Sequence, residues 1–275
     1  MGQHVKAGEL EIWTEQVGEG PDVLLVGGLG DTVESWQFQL DGLADRYRIT
    51  AFDNRGAGRT AMPEGQPTVE AMADDAAAVL RSLGVSSAHV AGFSGGSIIA
   101  QELALRHPYA VRSLVLQSTW SAMDDFMKTM IRAFHWQAEL APSERDFLEG
   151  FFIWVYTARA HNDGTVDRFI EDAMAFPHKQ STEDFLAFAD ACARNVTAGR
   201  LDGIQVPVLV LAGGADRMSR PELGKAVADE IPGARFEVME EEAHQPFQEI
   251  PDPWNVRVDE FWQEAERLRS GIPSS

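Results

Sequence analysis

The sequence predicts a doubly wound α/β fold, a mostly parallel sheet with helices on both faces, and three observations carry the prediction. Short, almost purely apolar runs recur along the chain, among them DVLLV at 22–26, AHVAGF at 88–93 and VPVLVLAGG at 206–214. Strands of that composition are covered on both faces, as parallel strands are. Amphipathic helical segments alternate with these runs, as in TVEAMADDAAAVLRSLG at 68–84, which Gly84 stops. At 275 residues and 44% hydrophobic content the chain can also bury a large core.

The N-terminal pieces HV and LEIWTEQV flank the turn KAGE as a hairpin, and DVLLV follows as a buried strand ending in Gly27, Gly28 and Gly30. TVESWQFQLDGLA has apolar residues at helical spacing, YRITAFD (47–53) reads as a strand, and the 68–84 helix leads into AHVAGF. VRSLVLQST (111–119) and VPVLVLAGG repeat the strand pattern, ARFEVME (234–240) is a last strand, and WNVRVDEFWQEAERL a terminal helix. Between residues 120 and 204 the alternation stops. DDFMKTMIRAFHWQAEL and RDFLEGFFIWVYTARA are helical, and PSE (142–144) and NDG (162–164) supply breaks between helices. The expected organisation is a core of residues 1–119 and 205–275 with a helical insertion, 120–204, acting as a lid.

Composition excludes several function classes. A formal net charge of −20 argues against nucleic acid and anionic lipid, which call for clustered Lys and Arg. The acidic residues are dispersed, as on a solvated surface. The lone Cys192 rules out an internal disulfide framework and repeated-cysteine metal motifs. MGQHVKAGELEIW has no apolar signal region and places Lys6 where a myristoylation signal needs Ser or Thr, and no stretch approaches the ~18 apolar residues of a membrane span. A cytoplasmic protein without a membrane partner is expected; a homo-oligomer stays open.

Residues 92–96, GFSGG, place a serine where the 88–93 strand must reverse into a helix carrying Ile98, Ile99 and Leu103. G-x-S-x-G in that context presents the hydroxyl from a strained turn. Side chains two residues before and after Ser94 would collide where strand and helix approach, and Gly92 and Gly96 avoid this. A tight turn without chemistry is the duller alternative. A serine is a weak nucleophile, so it needs a base and a group that orients the base.

With these motifs the chain resembles the serine-nucleophile branch of the α/β-hydrolase superfamily over nearly its whole length. The resemblance implies the chain order nucleophile, acid, histidine. LVLAGGADRMSRP places Asp216 just past a late strand, and MEEEAHQPFQEIP places His244 just past the last one. Some family members carry the acid after the earlier strand, where Asp124 or Asp125 could serve. His4, His89, His107, His135, His161 and His178 lie at strand or helix ends, at an edge or in the insertion, and are weaker candidates. The resemblance further implies oxyanion donors at the backbone N–H groups of Gly95 and Leu29. Where the family usually reads His-Gly-X, this chain reads Gly27-Gly28-Leu29-Gly30, so a side chain that often braces the loop is missing. FDNRGAGRT (52–60) reads as a structural turn, since neither a Walker A nor a dinucleotide fingerprint is present.

The implied activity is hydrolysis of an ester or lactone of a small apolar or aromatic compound through an acyl-enzyme on Ser94, with no cofactor and no metal. Local resemblance in FDNRGAGRT and GGSIIAQELALRHP points to bacterial enol-lactonases and cofactor-free perhydrolases, the non-haem haloperoxidase-like proteins. Two alternatives stay open: carbon–carbon bond hydrolysis or perhydrolysis on the same triad, and a ligand sensor with little turnover. Insertion residues such as Met127, Met130, Phe134, Phe126 and Trp136 are expected to form an apolar pocket, although a helix pair must bury one face in any case. Trp120, directly after the strand beside the elbow, is the expected substrate-binding wall.

Overall fold

The computed structural model describes residues 2–270; the end of the expected core, 271–275, lies outside the described residues, as does residue 1. Eight strands form one sheet: β1 (Gln3–Ala7), β2 (Leu10–Val17), β3 (Asp22–Val26), β4 (Arg48–Phe52), β5 (Ala88–Phe93), β6 (Val111–Gln117), β7 (Val208–Gly213) and β8 (Arg235–Met239). Their order across the sheet is β1-β2-β4-β3-β5-β6-β7-β8. The β1–β2 hairpin runs antiparallel and joins β4 antiparallel, while all pairs from β4 to β8 are parallel. The apolar runs thus occupy the parallel centre of the sheet, and β3, β5 and β7 are buried at every residue.

Alternation along each strand feeds two cores. Leu24 and Val26 of β3 join one core with α2 (Val69–Ser82), α3 (Gly95–Arg106) and α9 (Pro221–Glu230). Val23 and Leu25 face the other, with α1 (Gln37–Leu43) and the terminal α11 (Pro251–Arg269). The segment expected as one helix after β3 is divided, a 3-10 turn over Val33–Trp36 preceding α1. Thr68 caps α2 by accepting from the Ala71 N–H.

The insertion between β6 and β7 holds α4 (Asp125–Leu140), α5 (Glu144–Val155), α6 (Ala158–Asn162), α7 (Thr165–Ala175) and α8 (Thr182–Arg194), and among its described residues no strand occurs. Its hydrophobic residues are continuous with the α2–α3 core, so it packs over the C-terminal ends of the strands instead of standing apart. A last short helix, α10 (Pro246–Glu249), precedes α11. No helix among the described residues is long and apolar enough to cross a membrane.

Candidate active site

Ser94 sits between β5 and α3 with φ 51° and ψ −120°, a left-handed conformation that a non-glycine residue adopts only when its surroundings enforce it. The enforcement is visible in the backbone. A Cβ on Gly92 would lie 2.4 Å from the Gly96 carbonyl oxygen, and one on Gly96 would lie 2.1 Å from that of Val26. The second collision is with the neighbouring strand β3, not with β5 itself. The Ser97 hydroxyl donates to the Ser94 carbonyl at 2.6 Å and Ser94 N–H donates to the Gln117 carbonyl at 2.9 Å, which pins the turn to α3 and β6.

The structure brings Ser94, His244 and Asp216 together. His244 Nε2 lies 2.9 Å from Ser94 Oγ, and His244 Nδ1 lies 2.7 Å from Asp216 Oδ2. All three are almost fully buried, so the chain of contacts is shielded from water. Asp216 follows β7, and its other oxygen accepts from the N–H groups of Met218 and Ser219 at 2.8 and 3.0 Å. The His244 loop follows β8 and is held from both sides: its N–H donates to Val155 of α5, and its carbonyl accepts from the Ser118 hydroxyl at 2.7 Å. Ser118, itself at φ 54°, has no local sequence signal for this task.

The alternative acids lie elsewhere. Asp124 caps α4, accepting from the Met127 N–H at 2.9 Å, and pairs with Arg220. That N–H and Arg220 hold its carboxyl below the usual carboxylate range. The Asp125 side chain is exposed and 3.8 Å from Lys128. His89 is buried against the Ser113 hydroxyl at 2.8 Å, and burial pushes its imidazole down to about 3.

The glycine loop after β3 lies directly on the elbow: a Cβ on Gly28 would sit 2.9 Å from the Phe93 carbonyl oxygen and 3.0 Å from Ser94 Cβ. Its neighbours are fixed by the FDNRGAGRT turn. Asn54 Nδ2 donates to the Gly27 carbonyl at 2.9 Å, while Asp53 accepts from the N–H groups of Val33 and Arg59, each at 2.8 Å. The motif is therefore a structural brace for the loop and its own turn. Gly95 opens α3, where the first N–H groups have no partner in a preceding turn.

Comparison with known proteins agrees with the geometry, and a family model for the α/β hydrolase fold matches residues 21–249. The chain belongs to the α/β hydrolase fold family. It is 30% identical over 256 residues to a putative carbamate hydrolase, RutD, from Azorhizobium caulinodans, covering 92% of this chain and 95% of the relative. It is 31% identical over 254 residues to the putative non-heme bromoperoxidase BpoC of Mycobacterium tuberculosis, with 89% and 95% coverage. Among solved structures, the enol-lactonase of Burkholderia xenovorans superposes with a TM-score of 0.86 at 22% identity, over 95% of this chain and all of that one, a likeness of fold. Both groups singled out by local motif resemblance, enol-lactonases and non-haem haloperoxidase-like proteins, thus recur among these neighbours, and the protein is a hydrolase.

Two spaces lie between the insertion and the core of this α/β hydrolase, and of the two the smaller is the one lined by Ser94. One is a small cavity of about 30 Å³, lined by Ser94, Gly95 and His244 together with Trp120, Met123, Met127, Met130, Phe134, Cys192 and Met218. Four methionines and Cys192 bring sulfur to its walls, and burial pushes the Cys192 thiol up to about 12, so it stays protonated. The other is a larger cleft of about 960 Å³ between the Leu29–Phe38 segment and α5, α7 and α8, with Phe147, Phe151, Phe152 and Phe185 on the insertion side. Leu29 lines both spaces. The single apolar pocket expected from the insertion is thus two spaces. Trp120 lies in the wall of the smaller one, whereas Trp136 and Phe126 are 62% and 47% exposed, the latter lying under the Arg220 guanidinium.

Proposed function

We propose that this hydrolase cleaves esters or lactones of small apolar acyl groups through an acyl-enzyme on Ser94. The supporting observation is the unbroken, buried run from Ser94 Oγ through His244 to Asp216 at 2.9 and 2.7 Å, beginning at a residue held at positive φ. His244 takes the Ser94 proton as Oγ attacks the carbonyl, then passes it to the leaving oxygen, while Asp216 fixes the imidazole tautomer and stabilises its cation. The carbonyl oxygen becomes an oxyanion and receives the N–H groups of Leu29 and Gly95; within the described residues the Leu29 N–H donates to no protein acceptor. Water, activated by His244, then releases the acid.

The acyl part stays attached between the two steps and the alcohol part leaves. The small cavity lined by Ser94 suits the part that stays, and the larger cleft, which shares Leu29 with it, suits the part that goes. Insertion residues 120–204 act as a lid over both. Charged acyl groups are excluded, since no Lys or Arg lines the small cavity to pair with them.

The test is reaction with a labelled fluorophosphonate followed by a panel of esters, lactones and carbamates, run on the wild type and on Ser94→Ala. The reading expects labelling of the wild type alone and turnover lowered by about 10⁶ in the variant, the loss seen when such a triad loses its serine. Absence of labelling would point to a ligand sensor, and labelling without ester or lactone turnover to carbon–carbon chemistry.

A further inference from the structure

Three glycines, 27, 28 and 30, leave the oxyanion loop free to turn its peptide planes, so something must fix the one that carries the Leu29 N–H. Asp31 holds that unit from two directions. Its side-chain Oδ2 accepts from the Gly28 N–H at 2.8 Å, and its own N–H donates to the Gly28 carbonyl at 3.3 Å. In a trans peptide C=O and N–H point to opposite sides. Holding the Gly28 carbonyl toward Asp31 therefore turns the Leu29 N–H away from it, in a loop whose Gly28 lies directly against Ser94. The place is built for this side chain: a Cβ on residue 27 would lie 2.8 Å from Asp31 Cβ, so Asp31 fills the space beside the strand end.

The second carboxylate oxygen reaches the other half of the machinery. Gln245, the residue after His244, donates from Nε2 to Asp31 Oδ1 at 3.1 Å. Tyr156, directly after α5, donates to Gln248 at 2.6 Å, and Gln248 donates to the Ser35 carbonyl at 3.0 Å, so the base loop is tied back to the segment after Asp31 a second time. Asp31 is 6% exposed, and burial pushes its carboxyl above the ordinary range against hydrogen bonds from Gly28, Ser35 and Gln245 and the charge of His244. A carboxyl kept in such a place works against stability, which is the pattern of a residue retained for activity.

The geometry points to Asp31 as the positioning residue of the oxyanion loop, clamping the Gly28–Leu29 peptide and tying it through Gln245 to the loop that carries His244. This rests on Ser94 being the nucleophile, and the two ideas fail separately: labelling and turnover that survive in Ser94→Ala sink the latter whatever Asp31 does.

The experiment compares Asp31→Ala, Asp31→Asn and Gln245→Leu on a short-chain 4-nitrophenyl ester, with melting curves to confirm folding. Losing an oxyanion donor costs about 10²–10³ in kcat. Asp31→Ala should approach the lower figure with KM within about threefold, because the donor matters most once charge develops. Asp31→Asn keeps an acceptor for Gly28, and a flipped Gln245 amide can accept from the new amide, so it should recover most of that loss. Gln245→Leu leaves the Gly28 clamp and should fall between the two. A trifluoromethyl ketone, which forms the tetrahedral adduct, should lose affinity in Asp31→Ala in step with kcat/KM. Should Asp31→Ala fail to fold, the same order between wild type, Asp31→Asn and Gln245→Leu decides. The proposal is overturned if Asp31→Ala turns over within threefold of wild type, if Asp31→Asn is as poor as the alanine variant, if Gln245→Leu is no slower than wild type, or if the loss lies in KM alone.

Discussion

Replacing Met127 by alanine should change which acyl chain this enzyme prefers, and by a calculable amount. Met127 is 1% exposed and lines the small cavity of about 30 Å³ beside Ser94. Alanine removes Cγ, Sδ and Cε, three heavy atoms, which opens room for about three methylenes in the wall of the proposed acyl site. Each methylene moved from water into such a space contributes about 0.8 kcal/mol, or roughly fourfold in kcat/KM. Three would amount to roughly sixtyfold, and partial collapse of the walls, as seen when core side chains are truncated, lowers this to about tenfold. The assay is kcat/KM for 4-nitrophenyl esters from acetyl to octanoyl. Wild type should favour the shortest chains and fall away sharply. In Met127→Ala the hexanoyl-to-propionyl ratio should rise between about ten- and sixtyfold. Phe152→Ala, on the larger cleft, should leave that ratio unchanged. If the Met127 variant is folded and its ratio stays within twofold of wild type, the acyl group does not occupy the sulfur-lined cavity.

Other substitutions read the site and the fold. Asp216→Asn should lower kcat by about 10⁴, because an amide orients the imidazole wrongly, whereas Asp124→Asn should stay near wild type since asparagine also caps α4; the reverse ranking in steady-state kinetics would move the acid. Trp120→Ala should move the acyl optimum toward bulkier groups while fluorophosphonate labelling of Ser94 barely changes; an unmoved optimum would take Trp120 out of the wall. His89, fully buried and with its pKa pushed down to about 3, binds its proton far more readily in the unfolded chain, near the ordinary 6.5. Its contribution to stability is complete above pH 6.5 and is lost as pH falls toward 3, at up to about 1.4 kcal/mol per pH unit. Urea unfolding of wild type and His89→Gln at pH 7.5, 6 and 5 should show the wild type losing more stability on acidification, and parallel losses would argue against it.

Most of the scaffold was legible because it is written locally. Uniformly apolar runs such as Val208–Gly213 have one way to be satisfied, with cover on both faces, and the elbow announces itself through two glycines whose Cβ positions are occupied by backbone. Asp216 and His244 stand out because each follows a legible strand. The Asp31–Gln245 contact does not, since its partners are 214 residues apart and neither belongs to a periodic pattern. The missing histidine at Gly27 signalled that the loop needed another brace without saying where it would come from. The insertion misled in a different way. Helical periodicity shows that a face is apolar but not what it meets, so Trp136 could not be told from Phe134, which is 1% exposed, and one expected pocket proved to be two.

The aromatic stack behind the base loop has a consequence for how activity first arises on the ribosome. His244 rests on Phe93 at 4.9 Å between ring centres, Phe247 stacks on Trp36 at 4.2 Å, and Trp254 of the terminal helix closes the group against both. On the proposed mechanism the elbow serine is thus synthesised long before its base, and the stack behind the base loop is complete only once Trp254 has joined it. A nascent chain that has already built β3, β5 and α3 carries a correctly shaped but chemically idle serine. On the proposed mechanism reactivity waits for the first turn of α11, so a chain cut short before Trp254 leaves the stack behind His244 open.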